Sequence, residues 1–257
     1  MAIAVVAFTV ITYLNFGVTV NYILLGFIFL ATITAYNFIK YSAIAGFRHQ
    51  SLSYELRAIQ ILSLLAFLGL LPILFYQSPA VLVVSFILGF FTLLYAMPLP
   101  GKNRKLREIP GLKIYIIAFV VAGVTVILPL LEAELFPARN HIIDFFQRAI
   151  IAVVLILPFE VRDMNKDTSL LSTIPQKLGI TRAKLLGYVL IAVFVFAEFL
   201  KSEMNMTYTL SIVGLGLLCG VFLKYSTAQQ GKYFASFWVE AAPMFWIGIL
   251  YLVKMII

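Results

Sequence analysis

Charge is scarce in this chain. Of its 257 residues, 12% are Asp, Glu, Lys or Arg, while 63% are hydrophobic. Soluble domains carry about twice that share of charge, so a polar shell facing water cannot be built and the bilayer becomes the solvent. Cysteine is reduced to Cys219. One thiol makes no intrachain disulfide, and no Cys/His spacing fits zinc or haem, which removes redox and transition-metal chemistry from consideration. The two histidines, His49 and His141, fall in separate loops and are expected at the surface. Acids are scarcer than bases, 11 against 19, for a formal charge of +8. That excess would suit nucleic acid if it lay along a polar face, but the basic residues sit in short connections between apolar runs. No nucleic-acid partner is expected; membrane lipid with anionic headgroups, or a phosphorylated lipid, is. Low-complexity tracts, internal repeats and a soluble domain are also missing, so residues 1–257 read as a single transmembrane domain.

What the chain does have is long apolar runs, and a mean hydropathy of +1.04. A helix needs roughly 20 apolar residues to cross the hydrocarbon core. Nine such spans are expected, at about 1–16, 18–40, 56–76, 79–97, 112–131, 143–160, 183–201, 207–224 and 234–256. The first charged side chain is Lys40, so the leading apolar stretch is too long for a cleavable signal and is expected to stay. Tight connections at Gln77-Ser78-Pro79 and Glu203-Met204-Asn205 read as helix hairpins, whereas the stretches after the second, fourth and sixth spans are longer and polar. Fifteen of the 19 Lys and Arg fall in connections that follow even-numbered spans. Arg139, Arg148, Lys201 and Lys254 make up the other side. Retention of positive charge on the cytoplasmic side then predicts a cytoplasmic-membrane protein with its N-terminus inside and its C-terminus outside.

Chemistry-bearing residues concentrate where the sixth span ends, in Pro158-Phe-Glu-Val-Arg-Asp-Met-Asn-Lys-Asp167. Glu160, Asp163 and Asp167 are spaced i, i+3, i+7, which puts them on one face if the helix continues. Clustered carboxylates need a cation; a hard divalent ion with a diphosphate satisfies them, and so does pairing with Arg162, Lys166 or a basic loop. Glu240, inside the ninth span, is an intramembrane acid and therefore a candidate by default, or a hydrated one near the membrane surface. No buried charge pair and no matched pair of broken helices is legible, which argues against a small transporter.

The run from Asp163 to Gly179 resembles the second motif of the UbiA superfamily of intramembrane prenyltransferases. Asp163 and Asp167 match its paired aspartates, Thr173-Ile174-Pro175 its Thr-Leu-Pro, and Leu178-Gly179 its Leu-Gly. Tyr95-Ala-Met-Pro98, followed by Lys102 and Arg104, resembles the family's tyrosine-containing loop after the fourth helix, where basic residues hold diphosphate. The resemblance implies an all-α bundle of nine helices around a lipid-open cavity under a cytoplasmic polar cap. It also implies Mg2+ held by Asp163 and Asp167, and a prenyl diphosphate contacted by Asn37, Lys40, Tyr95, Lys102, Arg104, Arg162 and Lys166.

The first motif of that family departs here. Its Asn-Asp-x-x-Asp-x-x-x-Asp aligns with residues 37–45, where Asn37 is kept but Phe38, Tyr41 and Ala45 stand in place of the three aspartates. Half of the carboxylate set that keeps metal on the departing diphosphate is therefore absent. Lys40, three residues after Asn37, suggests a substitute: a lysine facing Asp163 and Asp167 in place of a metal bridge, or else a helix-end anchor. Two functions stay open. One is a divergent prenyltransferase moving a polyprenyl group from its diphosphate to a membrane acceptor. The other is a pseudoenzyme, a noncatalytic lipid-binding or structural subunit with a partner in a membrane complex.

Overall fold

The computed structural model describes residues 1–42, 54–96, 112–164 and 173–257, and all of its regular structure is helical. The helices are α1 (Ala2–Phe16), α2 (Tyr22–Ser42), α3 (Tyr54–Leu74), α4 (Pro79–Ala96), α5 (Leu112–Ala122), α6 (Leu128–Glu132), α7 (Arg139–Asp163), α8 (Ile174–Leu178), α9 (Ile180–Phe196), α10 (Met206–Tyr225) and α11 (Ala242–Ile256). A π-helical turn at Gly123–Ile127 joins α5 to α6, making them one span, and another at Phe234–Val239 precedes α11. Six of the resulting segments are long and apolar enough to cross a bilayer, and three shorter apolar helices, Ala2–Phe16, Pro79–Leu94 and Ala242–Ile256, complete the nine expected spans.

Local chemistry sets the helix ends. Gly17 adopts φ 63°, the left-handed cap conformation that glycine reaches without steric cost, and its N–H donates to Tyr13 O. Asn21 then starts α2: its Oδ1 accepts from the N–H groups of Ile23 and Leu24 at 2.9 and 3.1 Å, while its Nδ2 donates to Glu132 at 2.6 Å. Hydropathy places this start at residue 18, but the cap delays it to Tyr22. Ser78 and Asn205 cap α4 and α10 in the same way, which is why both hairpins fall where the turn residues predict.

The spans alternate in direction, so α2, α4, α7 and α10 finish at one end of the bundle, called here the basic end, where α1, α5 and α9 begin. Packing is uneven around the molecule. The largest apolar core joins α1, α7, α9, α10 and α11 through Phe8, Ile11, Val154, Leu157, Phe194, Leu215 and Trp246. A smaller core joins α1, α2, α4 and α6 through Tyr13, Leu24, Phe27, Val81 and Leu128. α3 packs on α2 and otherwise presents Ile61, Leu62, Leu64, Leu65 and Leu68 outward, as expected of a lipid-facing helix.

Candidate functional site

A cavity of about 870 Å³ lies between α1, α2, the outer half of α3, α4 and α5. Its walls are aliphatic and aromatic: Phe27, Ala31 and Ala35 of α2, Leu70 and Leu74 of α3, Phe86 and Leu88 of α4, Ile117 and Val121 of α5. Val83 and Phe86 line it and yet are largely exposed. α3 and α4 pack little on each other beyond their shared turn, α4 resting instead on α5, α6 and α2. The cavity is thus open sideways toward the hydrocarbon of the membrane. Toward the basic end the walls become polar, with Thr32, Tyr36, Thr92 and Lys113, and Lys113 is the one charged side chain among the described lining residues. Glu240 also reaches this end, paired with the α-amino group of Met1, which itself lines the cavity.

The π turn bears directly on the cavity wall. A π turn inserts an i→i+5 bulge into an α-helix, and such bulges occur frequently at functional sites. Here Gly123 faces Leu88 of α4 so closely that a Cβ would lie 2.7 Å from Leu88 Cδ2. Glycine at 123 lets the Leu88 side chain sit directly against the α5–α6 span at the cavity wall.

Of the three carboxylates spaced along the end of α7, the structure describes Glu160 and Asp163. The helix stops at Asp163, and Asp167, with Lys166, lies outside the described residues. So do Lys102 and Arg104, and the side chains of Lys40 and Tyr95. Glu160 is buried and accepts the N–H of Ile174 at 3.1 Å, the first residue of α8. In return Gln176 of α8 donates to Met164 O at 3.0 Å, and its Oε1 accepts the Thr173 N–H at 2.9 Å. The Thr-Ile-Pro segment and the end of α7 therefore cap each other, and Glu160 is a docking residue. The carbonyl of Pro158 also accepts from Gln230 at 2.9 Å.

Asp163 is held by its neighbour. Arg162 Nε donates to Oδ1 at 2.8 Å and Nη2 to Oδ2 at 2.7 Å, a bidentate fork that occupies both carboxylate oxygens. The guanidinium sits 5.3 Å from the Phe159 ring centre, and Tyr36 of α2 is near enough to interact with it electrostatically. Since Tyr36 also lines the cavity, Arg162 stands beside the cavity mouth. Asn37 is half-buried on the next position of α2. Among the described residues no group of three His, Cys, Asp or Glu is placed to share a metal. With Asp163 forked to arginine, Glu160 engaged by α8 and no acid at positions 38 and 41, the described donors do not fit a Mg2+ site built from facing carboxylates.

A second polar cluster lies toward the opposite end and was not legible as such. Lys201, 4% exposed, bridges Asp144 at 2.8 Å and Glu198 at 2.7 Å. Asn15 donates to Asp144 at 2.6 Å, and Gln147 donates to Glu198 at 3.2 Å. Arg148, 2% exposed, donates to Phe8 O at 2.6 Å and lies over the rings of Phe8 and Trp246. Two acids and two bases balance. This corrects two expectations: His141 is buried against Phe16 rather than at the surface, and buried ion pairs are present. For His141 the physical reason is that α7 starts at Arg139, four residues before the expected span, and carries the imidazole into the bundle. Opposite charges at 144 and 148, one helical turn apart inside an apolar helix, were the available signal.

No protein-family model matches the chain, and no curated protein matches it. A solved structure of digeranylgeranylglyceryl phosphate synthase does, with a TM-score of 0.57 over 99% of this chain and 91% of that one, at 15% sequence identity. Identity at that level carries the fold and not the activity. The helices, their order and the lateral cavity therefore establish this chain as an integral membrane protein with the fold of the UbiA-type intramembrane prenyltransferases.

Proposed function

We propose that the chain handles a polyprenyl diphosphate, with the isoprenoid tail in the cavity and the head at the basic end, and transfers the prenyl group to an acceptor dissolved in the membrane. The observation that carries this reading is the polarity of the cavity: apolar along its length, open to lipid at its side, and cationic at its mouth through Lys113 with Arg162 beside it. Such a shape matches an amphiphile with a long tail and an anionic head. In the transfer, the allylic C–O bond breaks, the diphosphate departs with the electron pair toward the cations, and the acceptor's nucleophile bonds the allylic carbon and loses its proton. The digeranylgeranylglyceryl phosphate synthase fold supports this class of substrate.

Equilibrium binding of radiolabelled geranylgeranyl diphosphate to the purified protein in detergent tests the reading. Ala35 lines the cavity on α2, so Ala35→Trp fills the tail site and is expected to weaken binding at least tenfold with an unchanged thermal melt. Equal binding by wild type and Ala35→Trp would place the ligand elsewhere and end this reading.

A second reading, a noncatalytic isoprenoid-binding subunit of a membrane complex, is favoured by Phe38, Tyr41 and Ala45 at positions where the resembled motif has aspartate. Release of pyrophosphate on adding native membrane lipid as acceptor separates the two: release supports transfer, and binding without release supports the subunit.

A further inference from the structure

We propose that the carboxylate of Asp163 is a stand-in for the ligand's phosphoryl group on Arg162, and that the head of the amphiphile is bound by exchange of anions on this guanidinium rather than through a divalent cation. This rests on the reading of the cavity given above. A carboxylate and a phosphoryl group both present two oxygens to the guanidinium fork, so one can replace the other without moving the arginine. The geometry has the parts for such an exchange. Both oxygens of Asp163 are on Arg162, at 2.8 and 2.7 Å. The pair is about a quarter to a third exposed, so an incoming anion can reach the guanidinium. The Arg162 guanidinium lies 5.3 Å from the Phe159 ring centre and within electrostatic reach of Tyr36, which lines the cavity. Lys113, at the same mouth, adds a second positive charge for a diphosphate. Helix α2, which carries Tyr36, has no acid in it, so an anion arriving there meets no carboxylate from that helix.

The exchange predicts a sign opposite to that of a metal site. If Asp163 were a magnesium ligand, removing its charge would abolish magnesium-dependent binding. If it is the ligand's competitor, removing its charge frees Arg162 and tightens binding. The test is the affinity of geranylgeranyl diphosphate for the full chain in detergent, in excess magnesium and in EDTA, for wild type, Asp163→Asn, Arg162→Gln and Arg162→Lys. Expected are wild-type affinities that agree within about twofold with and without magnesium, several-fold tighter binding by Asp163→Asn, and at least tenfold weaker binding by Arg162→Gln. Arg162→Lys, which keeps the charge without the fork, should fall between, and it keeps the test valid if Arg162→Gln melts early. Inorganic pyrophosphate and phosphatidic acid in mixed micelles, run as competitors, distinguish the sources of the phosphoryl group, and displacement by either supports exchange at Arg162. Magnesium-dependent binding that Asp163→Asn abolishes would overturn the exchange and leave the tail cavity standing. Tight binding of uncharged geranylgeraniol, with Arg162→Gln silent, would also leave the cavity and remove the head site. Absence of binding in every arm would overturn both.

Discussion

Lys201 shows what a single buried charge does in this protein. Its ammonium group serves two carboxylates, Asp144 and Glu198, and lies 4.6 Å from the Tyr208 ring centre. With the amine removed, two acids stay buried without their cation, and an uncompensated buried charge costs about 3–5 kcal/mol. Lys201→Met is therefore expected to destabilise the folded protein by at least about 3 kcal/mol, whereas Lys254→Met, at the exposed end of α11, should change stability by less than about 0.5 kcal/mol. Denaturation in detergent checks this, and equal midpoints would show that the network is hydrated rather than sealed. At this scale the sequence was a partial guide. It singled out Asp163, Arg162 and Glu160 by their spacing, but their division of labour, one forked to arginine and one docking α8, depends on where α7 ends.

One element in this fold is distorted where it meets the cavity. The π turn at Gly123–Ile127 bears on α4 through the contact between Gly123 and Leu88. Gly123→Ala places a methyl group against Leu88 and is expected to cost about 1–3 kcal/mol, the range for overpacking a close contact. In a Leu88→Ala background the same substitution should cost nothing measurable, so a double-mutant cycle of thermal stability should show coupling of the order of 1 kcal/mol. Additive effects would mean that α4 and the π turn accommodate the methyl independently. Nine apolar runs were legible because the bilayer imposes a length on any helix that crosses it. The π turns were not, because they register a mismatch between neighbouring helices and leave hydropathy unchanged.

Across the whole molecule, two halves differ in construction. α1, α7, α9, α10 and α11 share the large core and the buried ion network, while α2, α3 and α4 surround a cavity open to lipid. A rigid half beside an open one suits a protein that takes a lipid from the side and holds it near one surface. The charge asymmetry predicts that this surface faces the cytoplasm. In a Cys219→Ala background, Lys232→Cys should react with an impermeant maleimide only in inside-out vesicles, and Glu203→Cys only from the outside of intact cells. The reverse pattern would invert the protein and put its basic end outside.

The sequence by itself determined the membrane as solvent, the number of spans, the hairpin turns and the likeness to a prenyltransferase fold. Each of these follows from the length and polarity of contiguous segments, or from residues close together in the chain. Tertiary structure alone decided which apolar faces leave a cavity, that α3 and α4 part to open it, that Arg148 and Lys201 are sealed inside, and that Asp163 is already on Arg162. These outcomes rest on distances between helices, and on side chains from distant spans competing for the same few polar partners in a medium that offers no water to replace them.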